Sequence, residues 1–415
     1  MKNIKIIITF LIVFLPFSIY GETLKFFSWQ KTESGISDWW QAAITEFEND
    51  NPNIKIDFTQ LGRKAYADTF ATMFASGSPP DIVHLAAFEY QQFADQGFME
   101  PLDKWIKKSN LDLTGWGGQK TCQWKDTTYC IMLFYFGDVM GINQNLFDKE
   151  NIAIPKNFDE YLAAARKLTK DTDGDGIIDQ WGIGTQTTGG NNYTNRVIAY
   201  VLDAGGYWTD SEGKIAVKMP GVVEGIRRWK MIQKEGLTPL DLESGGIRQL
   251  FIEGRIAMLM DGPWIWGIMQ KAQPQIKKHL RLVKPPIYPP RGGTSNAIGM
   301  ASEISETKKE MVWKFISHIA SKKWQGKLAT IAGNIPPRPG VIPKEAYESN
   351  KNFKLMEYTT VAAADAGVDR LPKGLETTFN EFAKIVFEEL QRMMIDDLSA
   401  EVAADNIHQR AIKLQ

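Results

Sequence analysis

Three groups of residues in this 415-residue chain have types and spacings that could do chemistry. The run Asp171-Thr172-Asp173-Gly174-Asp175-Gly176-Ile177-Ile178-Asp179 sets side-chain oxygens at positions one, three, five and nine and a turn glycine at six, the spacing of a calcium loop. Gly182 stands at position twelve, where such loops carry a bidentate Glu. Asp171, Asp173, Asp175 and Asp179 therefore read equally as ligands of a structural calcium completed from elsewhere, or as an Asx-rich turn. Cys122 and Cys130 bracket the polar segment 123–129, which reads as a hairpin closed by a disulfide if the protein is exported. The third group is aromatic: 13 Trp, among them Trp29, Trp208, Trp264 and Trp266 beside Gly or Pro or at predicted strand ends. Flat rings with a polar edge suit the apolar faces of sugars, and neighbouring Asp, Glu, Asn and Arg suit the hydroxyls. Trp39, Trp105, Trp229 and Trp313 lie on helical faces and are expected in the core.

Other chemistries leave no mark. No G-x-S-x-G elbow, phosphate loop or dinucleotide fingerprint is present, and no acidic pair stands out as a glycosidase couple, so no catalytic residue is assigned. Lys+Arg 48 against Asp+Glu 49 provides no positive field for a nucleic acid, and 4 His with 2 Cys make a zinc cluster improbable. Residues 1–21 read as a signal peptide: Lys2 and Lys5, an apolar run from Ile6 to Leu15 broken by Thr9, then Pro16, Ser18 and Gly21. That run is too short to span a bilayer, and no cysteine near the cleavage point could carry a lipid anchor. The expectation is a protein exported to the periplasm, not membrane-spanning, with no cofactor beyond the candidate calcium.

The elements that must position these residues alternate. Leu24–Trp29 reads as a strand, Ser37–Asn49 as a helix, Ile54–Thr59 as a strand, Ala65–Ala75 as a helix and Ile82–Leu85 as a strand. After Cys130 the pattern restarts: a helix at Phe158–Leu168, a strand near Gly182, helices at Asn195–Leu202 and Gly221–Lys234, and a strand at Ile256–Met260. The expected fold is α/β, two lobes of mainly parallel sheet with helices on both faces, and a ligand cleft at the carboxyl ends of the strands. The Pro- and Gly-rich segments 284–293 and 334–340 read as crossings between the lobes, with one helix over about Lys308–Ala329 between them.

Several segments together resemble the bacterial extracellular solute-binding proteins for sugars, the maltose-binding-protein type serving ATP-driven importers. Ser76-Gly77-Ser78-Pro79-Pro80-Asp81-Ile82-Val83 resembles the motif entering the third strand. Asn143-Gln144-Asn145-Leu146-Phe147-Asp148-Lys149, Ile154-Pro155 and Phe158-Asp159-Glu160-Tyr161 resemble the opening of the second lobe, and Gly205-Gly206-Tyr207-Trp208 its double-glycine motif. Most specific is 254–266, containing Gly262-Pro263-Trp264, similar to the stretch whose Trp stacks on sugar; Gly333-Asn334-Ile335-Pro336-Pro337-Arg338 resembles the turn near the last crossing. Ile142 and Phe158 depart from the Tyr and Trp common there, the Cys pair is not a family feature, and Phe379 is the nearest match to the usual late aromatic.

The resemblance implies a periplasmic-binding-protein fold with three hinge crossings: an N-terminal lobe of 22–137 plus 287–335 and a C-terminal lobe of 138–286 plus 336–415. It implies a monomer that closes on a sugar or oligosaccharide and delivers it to the permease subunits of an ABC importer, without turnover. The ligand contacts expected are Trp29, Glu33, Phe88 and Glu89 from the first lobe, Asp138 at the first crossing, Tyr207, Trp208, Asp261, Trp264 and Trp266 from the second lobe, and Arg338 at the last crossing. Another polar solute such as glycerol phosphate, a secreted carbohydrate-active enzyme, and an adhesive surface protein are the alternatives.

Overall fold

The computed structural model describes residues 21–415 apart from Ser34, Ser295 and residues 367–370. The expected signal peptide therefore lies outside the described residues, save Gly21. No described helix is long and apolar enough to cross a membrane.

The first sheet has the order Ile54–Gln60, Glu22–Ser28, Ile82–Ala86, Asn296–Met300, Ile131–Met132. Its first three strands are parallel, and the last two join antiparallel. Alternation sets the register: Leu24, Phe26 and Ser28 turn inward while Thr23 and Lys25 face water. The strand Glu22–Ser28 feeds neighbours on both sides, and ligands of open α/β sheets sit at the carboxyl ends of strands beside such a reversal. Trp29 and Phe88 follow those ends.

The second sheet has the order Leu280–Val283, Val139–Asn143, Ile256–Asp261, Trp181–Gly184, with only the last pair parallel. Each sheet has its own core, and Trp39, Trp105, Trp229 and Trp313 are buried in them as expected. Between the sheets the chain passes through Tyr135–Gly137 and returns through Gly292–Thr294, two strands that pair antiparallel. It passes a third time after the π-helical turn Leu328–Ala332.

The single helix expected over Lys308–Ala329 is two, Glu306–Ile319 and Lys322–Lys327. Ser321 accepts from the Trp324 amide at 3.3 Å and starts the second helix as its N-cap, a break that apolar periodicity alone does not reveal.

Cys122 and Cys130 are joined, closing the hairpin Gln123–Trp124 with Thr127–Thr128. Its turn residues Lys125 and Asp126 both have positive φ, 48° and 61°, as a type I′ turn requires. A loop this short constrains the unfolded chain by about 2 to 3 kcal/mol in the chain-entropy model. Reducing the protein, or replacing both cysteines by serine, is expected to lower the urea unfolding free energy by that amount; an unchanged midpoint would show the bridge to be dispensable.

Candidate functional site

Between the two sheets lies a cavity of about 480 Å³, within the roughly 300 to 1,000 Å³ usual for small-molecule sites. Its walls include Trp29, Glu33, Phe88, Glu89 and Trp264, five of the residues expected at the ligand.

Trp29 opens the turn after the first strand, where Ser28 Oγ caps the Gln30 amide at 2.9 Å. Its indole is stacked on His84 with ring centroids 4.4 Å apart and planes at 17°. The Arg63 guanidinium lies over the ring at 4.8 Å, and Tyr66 meets it perpendicular at 4.7 Å. Three neighbours thus crowd the Trp29 indole, and Arg63 lines the cavity beside it. Glu89 fixes Arg63 at 2.7 Å and is itself buried, its second oxygen accepting the Ala86 amide at 3.0 Å. Phe88 reaches into the second lobe's core, edge-on to Phe379 at 5.4 Å.

Burial first, then the nearby Arg63 charge, lowers the His84 pKa to about 3. The unfolded chain takes up this proton near the ordinary value of 6.5, whereas the folded protein does so only near 3. The contribution is therefore fully present above pH 6.5 and lost as pH falls towards 3, by about 1.4 kcal/mol per pH unit within that window. Unfolding free energy is expected to drop between pH 7 and 5, and His84→Gln should remove this part of the slope; an unaltered slope in the variant would show that His84 titrates normally.

From the second lobe, Asp261 gathers four donors at the end of its strand. Arg248 Nε lies at 2.7 Å, the Gly262 amide at 2.9 Å, Trp264 Nε1 at 3.1 Å and Arg196 at 3.2 Å. Burial alone would raise its pKa, but Arg248 and Arg196 outweigh burial and hold the carboxyl well below the usual range. Arg248 also reaches across the cavity to Glu33 at 3.3 Å, tying the lobes together. Burial raises the Glu33 pKa, with Arg248 opposing. The Trp264 indole rests on Gly262, where an added Cβ would lie 2.2 Å from Cη2. Phe136 meets it at 4.9 Å and 58°. At the first crossing Asp138 is buried and receives two bonds from Arg291, at 2.7 and 2.8 Å, so Arg291 forms the wall and Asp138 backs it.

Six of the expected contacts do not line the cavity: Asp138 and Asp261 stand behind the arginines they bind, and four others lie elsewhere. Trp208 is buried in the second core against Phe382 at 5.7 Å, and Tyr207 packs on the same core. Trp266 packs beneath the Gly333 turn, where an added Cβ would meet its Cδ1 at 3.3 Å. Arg338 donates to the Ala320 carbonyl at 2.7 Å and stacks near Trp116 at 5.6 Å, away from the cavity. Conversely Arg63, Arg196, Arg248, Arg291 and Asn334 line the cavity without a signal in the sequence strong enough to select them.

The acidic loop is only partly as expected. Asp171, Asp173 and Asp175 bring one oxygen each within 4.8 Å of one another, but Asp179 turns to the Thr172 hydroxyl and amide at 2.6 and 3.0 Å. Position twelve offers no donor, because a Cβ on Gly182 would lie 2.3 Å from the Ala165 carbonyl oxygen. Three carboxylates fall short of the six to eight oxygens calcium takes. Chelation by EDTA is expected to leave the melting temperature unchanged; a fall reversed by calcium would show the ion to be structural.

A family model described as bacterial extracellular solute-binding protein matches residues 33–326. A putative binding protein of Brucella abortus is 23% identical over 315 residues, 74% of each chain. The diacetylchitobiose binding protein of Streptomyces coelicolor is 22% identical over 364 residues, covering 84% of this chain and 79% of its own. Among solved structures, an ABC transporter solute binding protein from Thermotoga lettingae bound with alpha-D-tagatose superposes with a TM-score of 0.79 at 21% identity, covering 94% of this chain and 99% of its own. At that identity the superposition establishes the two-lobed fold. With the family model spanning most of the chain, this protein belongs to the bacterial extracellular solute-binding proteins.

Proposed function

We propose that the protein captures a neutral sugar or short oligosaccharide between its lobes, in the periplasm, and presents it in the closed form to the permease of an ATP-driven importer. The observation that carries this reading is charge compensation of the arginines in the cavity wall; the remaining lining cation, Lys384, is exposed. Arg63 is matched by Glu89, Arg196 by Asp261, Arg248 by Asp261 and Glu33, and Arg291 by Asp138. An anionic solute such as glycerol phosphate needs cationic donors that are not already neutralised. Hydroxyls need donors and acceptors without net charge, alongside apolar rings, and Trp264, Phe88 and Phe136 supply rings. The relatives named for diacetylchitobiose and tagatose support this class of ligand.

The same wall supports binding without turnover. Asp261 and Glu89 are locked by arginines and backbone amides, an arrangement for holding a ligand. Closure around a ligand that touches both lobes shifts the population by its differential affinity for the closed form, and a permease can recognise that form.

Thermal unfolding of residues 22–415 with tagatose, maltose, diacetylchitobiose and glycerol phosphate tests the reading. A ligand at a hundredfold excess over its Kd stabilises by about 2.7 kcal/mol. A shift with a neutral sugar, and intact disaccharide after prolonged incubation, is expected. A shift with glycerol phosphate alone, or hydrolysis of diacetylchitobiose, would overturn the reading.

A further inference from the structure

We propose that Asn334 is a ligand-contact residue whose amide hydrogen-bonds a hydroxyl of the bound solute; the proposal rests on the sugar-binding reading above. Asn334 lies in the third passage between the lobes, just after Leu328–Ala332. Gly333 before it adopts the left-handed conformation, φ 66°, and Pro336 and Pro337 follow. The Asn334 amide N–H donates to the Leu328 carbonyl at 3.4 Å. Ile335 beside it is anchored in the core of the second sheet.

The side chain of Asn334 forms part of the cavity wall, is 6% exposed, and its Oδ1 is enclosed without a hydrogen-bond partner. Native proteins seldom leave such a group unpaired, because an amide taken from water without compensation destabilises the fold. A sugar hydroxyl in the cavity can accept from the amide nitrogen, and a turn of the side chain brings the amide oxygen round to accept from it in the same way. The neutral amide also fits the compensated charges of the wall. Because its segment runs from the core around Leu328 and Ala332 to the core around Ala329 and Ile335, a ligand held here touches a passage that closure must move.

The test compares Asn334→Leu, close in size but without polar atoms, with Asn334→Asp, which keeps an acceptor. In urea unfolding of the ligand-free protein, Asn334→Leu is expected to match or exceed the wild-type midpoint, since replacing an unpaired buried polar group by an apolar one of similar shape is neutral or stabilising. A lower midpoint would mean that the amide is bonded within the protein, and would overturn the proposal. In calorimetric titration with tagatose, maltose and diacetylchitobiose, whichever of these binds the wild type should bind Asn334→Leu about tenfold or more weakly, with Asn334→Asp less affected. Equal affinities for wild type and Asn334→Leu would also overturn it. Should none of the three sugars bind the wild type, the sugar-binding reading fails, while the unfolding comparison still decides whether Asn334 carries an unpaired amide.

Discussion

Replacing Arg248 by methionine is expected to cost about 3 kcal/mol of folding stability, the low end for removing one partner of a buried ion pair, because Asp261 keeps Arg196. Asp261 is 1% exposed and takes its shortest bond, 2.7 Å, from Arg248. Without that guanidinium it keeps Arg196, the Gly262 amide and Trp264 Nε1, and loses the charge nearest to it. The residual charge is what destabilises, so Asp261→Asn in the Arg248→Met background should recover much of the loss. Urea unfolding of wild type, both single variants and the double variant measures this as a coupling energy. Additive losses would show that Arg248 and Asp261 act independently.

Arg248 also bonds Glu33 from the opposite lobe, so the same substitution removes an interlobe tie. A second tie, Asn380 to Gln92 at 2.7 Å, stays. Glu33→Gln separates the two roles, because it removes the interlobe charge pair and leaves Asp261 with both arginines. It should cost little stability and shift the ligand-free protein towards the open form, read as a larger radius of gyration.

The fold was legible because strands and helices of this chain announce themselves by period. Ile54 and Ile56 alternate with Lys55 and Asp57, and Trp39, Trp40, Ala43, Ile44 and Phe47 recur at helical spacing over Ile36–Asp50. The site was legible only where one local segment carries it. Asp261, Gly262 and Trp264 are neighbours in sequence, and strand end, close approach and ring are all visible there. The double glycine before Trp208 misleads for a physical reason. A Cβ on Gly206 would lie 2.5 Å from the Val222 amide nitrogen, so that glycine lets two segments pack closely and Trp208 falls into the core. Arg63, Arg196, Arg248 and Arg291 come from separate elements and share no spacing; only the folded chain brings them to one cavity. Their carboxylate partners are equally dispersed, so no count of charges along the sequence reveals that the cavity is compensated.

Trp264→Ala is expected to weaken sugar binding about 100-fold or more, the scale of a central aromatic contact removed from an interface. Trp29 is stacked on His84 with Arg63 over its ring at 4.8 Å, whereas the cation over Trp264, Arg248, stands off at 5.8 Å, so the more open indole is the one in the second lobe. Trp264 is half-buried, with one face on Gly262 and its Nε1 held by Asp261 at 3.1 Å, so its ring is fixed before a ligand arrives. Such a ring gives up little conformational freedom on binding. Gly262→Ala tests the support independently: the added methyl collides with the indole, so the ring must move although its chemistry is unchanged. Both variants should lose affinity in calorimetric titration, Trp264→Phe should keep an intermediate part, and Trp208→Phe, altering a ring packed on Phe382, should lower stability while leaving Kd near wild type. Full affinity in Trp264→Ala would move the stacking surface to another ring of the wall, such as Phe88 or Phe136, and would make the charge-compensated arginines the main determinants of binding.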